Sequence, residues 1–498
     1  MKKFLSLLAA AIFALPFFAQ SSTDNTFPSI NLIPDSRITD QIAFGPETMD
    51  ADTFIRTSFI ASGATDSSID ESMTKLENHW DFFQKIQNQK SMGKDDMQET
   101  IRQVLFFIHN DIFLSYNALQ TKTDLLLQKG IFNCVSATAI FMYFMKRLGI
   151  PVIPVECPNH AFATVQIDGI EFDVETTNPY GFAPGTKIEL QSNKPGQKVW
   201  VKVPASNYKN RKNVNDKRLL SMIYINRIHV LQTKHQDIET IPLAINQARL
   251  QGALNSDGSL LENSPLAGEK TSAIAEIRRC TANVVVDYSG KNLNPAVLDF
   301  ALLIQNKFGF DPVIQNNCDY VITSYASELC KKKQYEKSLE FIEKYKDAAT
   351  RQNYLETKQI TIANKLVWEL DKKTFEENIN SIEGNKQNIS SKDYRSLISY
   401  AYTNEASRLY NEKTDGAALR AIRFSDQACI KFPSDSKIRE QNRVLRHNYE
   451  AQIHNKIAVL VNSGKTSDAK ALCESEIKNL GTTKILAKDL RRLSQMRN

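Results

Sequence analysis

The sequence predicts an α+β protein: a thiol domain in which a cysteine-bearing helix packs on an antiparallel sheet, then a domain of repeated α-helices. Two observations carry this. Residues 133–148 read as a buried helix opening on Cys134, and strand-like runs follow on either side of Asp168-Gly169, a two-residue hairpin signal. Beyond residue 211 the strand signals stop, and helical periodicity with recurring small residues takes over.

The N-terminus comes first in the chain. Met1-Lys2-Lys3 precedes an apolar stretch over 4–18, which turns polar at Gln20-Ser21-Ser22. That layout predicts a secretory signal peptide over 1–20, too short to span a bilayer. No later stretch is long and apolar enough for a span, so no membrane crossing is expected after signal removal. The expected location is exported, periplasmic or associated with the cell envelope. Residues 21–66, rich in Ser, Thr, Asp and Pro, read as a loosely ordered lead-in. The thiol domain with its N-terminal helices is assigned to 67–210, and the helical repeats to 211–498.

Within the thiol domain, helices are expected over 71–87 and 95–117. In the second, Ile101, Val104, Leu105, Ile108, Ile112 and Phe113 mark one apolar face. Leu125, Leu126 and Leu127 suggest a short helical turn before Gly130. Asn133 is the expected N-cap of the next helix, Gly149 its end, and Pro151 a block to continuation. Strands are expected over 150–155, 161–167 and 170–176, with a further one near 198–203 completing the sheet. Pro179, Gly181, Pro184 and Gly185 mark a turn-rich loop after the hairpin.

The net charge of +6 is spread along the chain, and Lys331-Lys332-Lys333 lies among glutamates as a solvated helix face, so no nucleic-acid partner is expected. Seven cysteines, odd in number, form neither a disulfide framework nor a CxxC metal spacing. The remaining histidines (79, 109, 229, 235, 447 and 454) are isolated and show no HExxH pattern. No metal and no cofactor are therefore expected.

The chemistry concentrates between Gly130 and Pro179. Cys134 in the first turn of a helix sits near unpaired amide N–H groups and the positive end of the helix dipole, which favour a thiolate. A hairpin turning at Asp168-Gly169 pairs Ile167 with Ile170 and Phe162 with Glu175. His160, Phe162 and Thr164 then share a face with Asp173, Glu175 and Thr177. Glu175 becomes the diagonal neighbour of His160 at roughly 7–8 Å by backbone. Asp173, opposite Thr164, lies roughly 13 Å along the strand from His160. Geometry favours Glu175 as the acid, with Asp173 the alternative should a bulge shift the register. Cys157 is either a packed thiol or a disulfide partner.

Asn133-Cys134-Val135-Ser136-Ala137, Leu148-Gly149-Ile150-Pro151, His160-Ala161-Phe162, Asp168-Gly169 and Glu175-Thr176-Thr177 resemble the core of the transglutaminase-like superfamily. Two departures stand out. The family's third member is normally aspartate where this chain has Glu175, and its aromatic residue after the turn is replaced around Glu171-Phe172. The resemblance implies a papain/transglutaminase-like thiol domain with Cys134 as nucleophile, His160 as general base and acid, and Glu175 holding the imidazole tautomer. It implies the Cys134 N–H as one oxyanion donor, with Gln128 or Asn133 as the second. The activity implied is acyl transfer or hydrolysis of an amide or peptide, with a protein or peptide as substrate.

The C-terminal pattern is degenerate but recurrent. Tyr325-Ala326, Leu329, Gln334-Tyr335 and Ser338-Leu339 are echoed by Ala406, Leu409-Tyr410, Ala418-Leu419, Ala428 and Phe432-Pro433. They are echoed again by Ile457, Leu460, Gly464, Ala469 and Leu472, and earlier by 219–232 and 242–250. These segments resemble tetratricopeptide repeats, which implies a TPR-like surface for a protein partner. The competing reading is a non-catalytic cell-envelope scaffold that works through those repeats alone.

Overall fold

The computed structural model describes residues 27–89, 97–184, 210–261, 268–290 and 293–496. The expected signal peptide over 1–20 and the expected strand over 198–203 lie outside these.

The chain is a mixed α+β protein, mostly helical, with small sheets. Part of the expected lead-in is helical: α1 (Asp40–Phe44) and α2 (Ala51–Ser62). Asp50 caps α2 by accepting from Thr53 N, and Phe54, Ile55 and Phe59 are fully buried. The polar letters that suggested disorder sit inside the core. Thr57 Oγ1, Ser58 Oγ and Ser62 Oγ donate to the carbonyls of Thr53, Ile55 and Ser58 at 2.7, 2.7 and 2.8 Å. Those bonds satisfy buried hydroxyls without breaking the helix.

Buried cations fasten the same stretch. Lys217 Nζ donates to the carbonyls of Ala43 and Gly45, both at 2.9 Å. Arg249, 1% exposed, donates to the Ile38 and Leu254 carbonyls and pairs with Asp40.

Helices α3 (Asp66–Gln89) and α4 (Met97–Phe107) follow. The second was expected to run to Asn117. It passes instead into a π-helical turn over Ile108–Ile112, and the chain extends as β1 (Ser115–Tyr116). Helix α5 (Thr123–Lys129) ends on Gly130, whose φ of +67° is left-handed. Strand β2 (Ile131–Phe132) pairs in parallel with β1, Tyr116 opposite Phe132, and leads directly into α6 (Cys134–Arg147). Residues 135–145 of α6 are all buried, so this helix is the centre of the unit.

The main sheet contains β3 (Val152–Cys157), β4 (His160–Ile167), β5 (Ile170–Val174) and β6 (Lys212–Asn213), in the order β5-β4-β3-β6. All its pairings are antiparallel. Ile167 pairs with Ile170 and Thr164 with Asp173 across Asp168-Gly169, whose φ values of 50° and 78° suit a primed turn.

Helices α7 (Asp216–Thr233), α8 (Asp237–Leu250), α9 (Glu269–Gly290), α10 (Val297–Phe308) and α11 (Pro312–Lys331) come next. Residues 211–321 fall in the same compact unit as the sheet. The compact units are Met1–Val321 and Ile322–Asn498. The reason lies in α7. Arg218 pairs with Glu156 of β3, Arg227 donates to the Ala61 carbonyl of α2, and Asp216 pairs with Lys146 of α6 at 2.8 Å. Both members of that last pair are buried, which ties α7 to the sheet-bearing unit.

The second unit begins within α11 and continues, through turns and a 3-10 turn at Lys346–Ala348, with α12 (Tyr335–Lys344), α13 (Arg351–Leu370), α14 (Phe375–Gly384), α15 (Ser391–Tyr410), α16 (Ala417–Lys431), α17 (Ser436–Asn462), α18 (Thr466–Leu480) and α19 (Lys484–Gln495). Two apolar clusters hold it. One gathers Leu366, Ile382, Leu397, Ala401 and Ala428, and the other Ala406, Ala421, Leu445, Ala469 and Leu486. Buried alanines at these contacts let neighbouring helices approach closely.

Candidate active site

Cys134 is the first residue of α6 and is partly exposed. Its position is set by a reciprocal cap. Asn133 Oδ1 accepts from Ser136 N at 2.9 Å, and Asn133 N donates to Ser136 Oγ at 3.0 Å. One turn on, Thr138 Oγ1 donates to the Cys134 carbonyl at 2.8 Å and meets Thr176 Oγ1 at 2.8 Å. The cysteine helix is thereby pinned to the segment carrying Glu175.

His160 opens β4 and lies buried. Its Nε2 meets Glu175 Oε2 at 2.8 Å. Glu175 stands just past the end of β5, and its other oxygen, Oε1, accepts from Thr177 Oγ1 at 2.7 Å and Thr177 N at 3.2 Å. The carboxylate is thus held from both sides. Its backbone belongs to a tight turn in which Glu175 N donates to the Gly181 carbonyl at 2.8 Å and Asn178 N donates to the Glu175 carbonyl at 3.1 Å. Gly181 is required there by space, because a Cβ on it would stand 1.9 Å from the Glu175 carbonyl oxygen. His109, buried on the π-helical turn, supports the loop through Nε2 and the Thr176 carbonyl at 3.0 Å.

Electrostatics favour a charged imidazole. Burial works against the charge on His160, but hydrogen bonds and charge interactions with Cys134 and Glu175 outweigh it and raise its pKa to about 10. With Nε2 committed to Glu175, Nδ1 is the ring nitrogen left free of that bond to serve a thiol. The Tyr116 phenol, on β1 rather than in the expected helix, also interacts with Cys134, and burial followed by that neighbour raises its pKa.

All described cysteines are free thiols; burial pushes Cys280 and Cys318 up to about 12 and raises Cys157, Cys429 and Cys473 as well. Cys157 packs with Val155 and Phe162. Among the described residues, no three His, Cys, Asp or Glu side chains gather into a metal-binding group.

Three further expected site residues make bonds of their own. Asp173, the alternative acid, forms a bidentate pair with Arg211 at 2.5 and 2.7 Å and accepts from Thr164 Oγ1 at 3.2 Å. Gln128 is exposed on α5 and donates to Ser68 Oγ at 3.3 Å, since the left-handed turn at Gly130 separates its helix from α6. The Asn133 side-chain oxygen is taken by the cap. Gln128 is thus committed to Ser68, and Asn133 adjoins Cys134 as the cap of its helix.

Thr177 was legible as the residue two beyond the acid. Tyr116 carried no signal, because a two-residue strand is shorter than any period a sequence can display. Comparison with protein families, with curated proteins and with solved structures gives no match.

Proposed function

We propose that the chain is an exported transglutaminase-like cysteine enzyme acting in the periplasm or cell envelope, which transfers or hydrolyses acyl groups of a protein or peptide substrate. The observation that carries this reading is the buried His160–Glu175 pair at 2.8 Å, with His160 also interacting with a cysteine at a helix start. A histidine bonded to a carboxylate through one ring nitrogen and facing a thiol through the other is the arrangement nucleophilic catalysis needs. Glu175 fills the place of the usual aspartate.

In this reading Cys134 Sγ adds to a carbonyl carbon, forming a C–S bond and a tetrahedral oxyanion that the Cys134 N–H helps to hold. His160 then gives its Nδ1 proton to the departing amine as the C–N bond breaks, leaving a thioester. Water or a second amine attacks that thioester, losing a proton to His160, and the C–S bond breaks to return the sulfur. Glu175 fixes the ring and balances its charge throughout. The helical unit of Ile322–Asn498, with its TPR-like alternation of bulky and small residues, serves to bind a protein partner.

Competitive alkylation tests the reading. Cys134 should react with iodoacetamide at neutral pH at least ten times faster than any other cysteine, and His160→Ala should abolish that preference. Uniform slow labelling of the cysteines would leave only the scaffold reading.

A further inference from the structure

The oxyanion of an acyl-transfer site is held by more than one donor; Gln128 is committed to Ser68, and Asn133 holds the helix cap through its oxygen. Tyr116 offers a further one. The parallel pairing of β1 with β2 sets it opposite Phe132, two residues before Cys134, and Asn117 N fixes that register by donating to the Phe132 carbonyl at 2.8 Å. Its ring rests edge-on against Phe132 at 5.6 Å between centroids, and its phenol interacts with Cys134, two residues further along. The residue is 38% exposed and so accessible from solvent.

We propose that the Tyr116 hydroxyl is the second oxyanion donor of this site, contributed by the strand that the cysteine's own lead-in segment pairs with. This rests on the thiol-enzyme reading above. The phenol is suited to the task in one further respect: burial, then the neighbouring Cys134 and Glu175, push its titration upward, so it keeps its proton at any physiological pH. In the resting site it donates to sulfur. When sulfur adds to a carbonyl, the negative charge moves to the carbonyl oxygen one bond away, and the same O–H turns to follow it. No proton is transferred in this step.

Two reagents separate this role from simple tuning of the thiol. Iodoacetamide alkylates sulfur by displacing iodide and forms no oxyanion. An activated ester such as p-nitrophenyl acetate acylates sulfur through a tetrahedral oxyanion: a C–S bond forms, the C–O bond to the aryl group breaks, and nitrophenolate leaves. Tyr116→Phe in the full chain keeps the ring and its contact with Phe132. Its acylation rate should fall about 100-fold, while alkylation at Cys134 changes less than threefold, which also shows that the site is folded.

Equal loss with both reagents would overturn the proposal in favour of thiol tuning, and no loss with either would overturn it outright. If wild-type Cys134 itself shows no preference over the other cysteines with either reagent, the thiol-enzyme reading fails, and this assignment falls with it.

Discussion

Replacing Glu175 by Gln keeps the side chain's shape and removes its charge. In the wild type, Glu175 Oε2 meets His160 Nε2 at 2.8 Å and Oε1 accepts two bonds from Thr177. A hydrogen bond to a charged partner contributes roughly 1.5–3 kcal/mol. At about 1.4 kcal/mol per pKa unit, that corresponds to a downward shift of His160 by about one to two units. Starting from about 10, the variant's imidazole should therefore titrate near 8 to 9. Burial, which opposes the charge on His160, then has one counter-ion fewer to overcome it.

NMR titration of the histidine ring protons reads this directly, with His160 assigned by its loss in His160→Ala. The stability effect has a definite sign. A histidine whose folded pKa exceeds its unfolded value stabilises the native state fully below about pH 6.5. That contribution fades as pH rises toward about 10 in the wild type, and should fade earlier in Glu175→Gln. Urea denaturation at pH 7 and pH 9.5 supplies the check. Two results would refute the reasoning: a wild-type His160 that titrates near the ordinary imidazole value, or a Glu175→Gln variant whose His160 does not move.

Glu175→Asp draws the carboxylate back by one methylene, about 1.5 Å; the His160 contact should lengthen past hydrogen-bond range and its titration fall between those of wild type and Glu175→Gln. Gly181→Ala places a Cβ 1.9 Å from the Glu175 carbonyl oxygen, so the turn must open; a thermal melt should show a loss of about 1–3 kcal/mol, with a lowered His160 pKa alongside it. Asp173→Asn breaks a partly exposed pair with Arg211 and should cost about 1 kcal/mol or less, leaving the rate of Cys134 alkylation unchanged; a tenfold fall would restore Asp173 as the functional acid. Ala421→Leu overfills the fully buried contact in the second unit and should destabilise that unit by about 1–3 kcal/mol in chemical denaturation, without altering His160.

Which parts of this architecture could be read in advance follows from the range of the signals involved. The cap at Asn133, the glycine stop at Gly149 and the hairpin at Asp168-Gly169 are local backbone demands, and each appears where the residues placed it. Glu175 was reachable by counting along two strands, although the ladder ends at Ala163–Val174 and the acid itself sits in the turn beyond. The helices within 40–62 were hidden because their buried hydroxyls look hydrophilic in sequence and become apolar-compatible only once bonded to the preceding turn. The packing of the helix from Asp216 onto the sheet-bearing unit rests on long-range ion pairs such as Lys146–Asp216, which no periodicity encodes. Tyr116 was lost for the same reason, since its neighbour in space is set by a strand pair of two residues.

The candidate site is therefore not three side chains but a closed set of commitments around one open one. Glu175 has both oxygens engaged, His160 has Nε2 engaged, Thr138 and Thr176 lock the cysteine helix to the acid's turn, and Arg211 draws Asp173 away. Each bond removes a rotamer that would otherwise let the imidazole or the carboxylate turn aside, and its entropic cost is met during folding rather than at the moment of reaction. The freedom that remains belongs to Cys134, partly exposed at the tip of its helix, and to the Tyr116 hydroxyl beside it. In the proposed enzyme, fixing Glu175 and His160 while the thiol stays partly exposed ties the stability of the turn at Gly181 to the reactivity of a sulfur on another element.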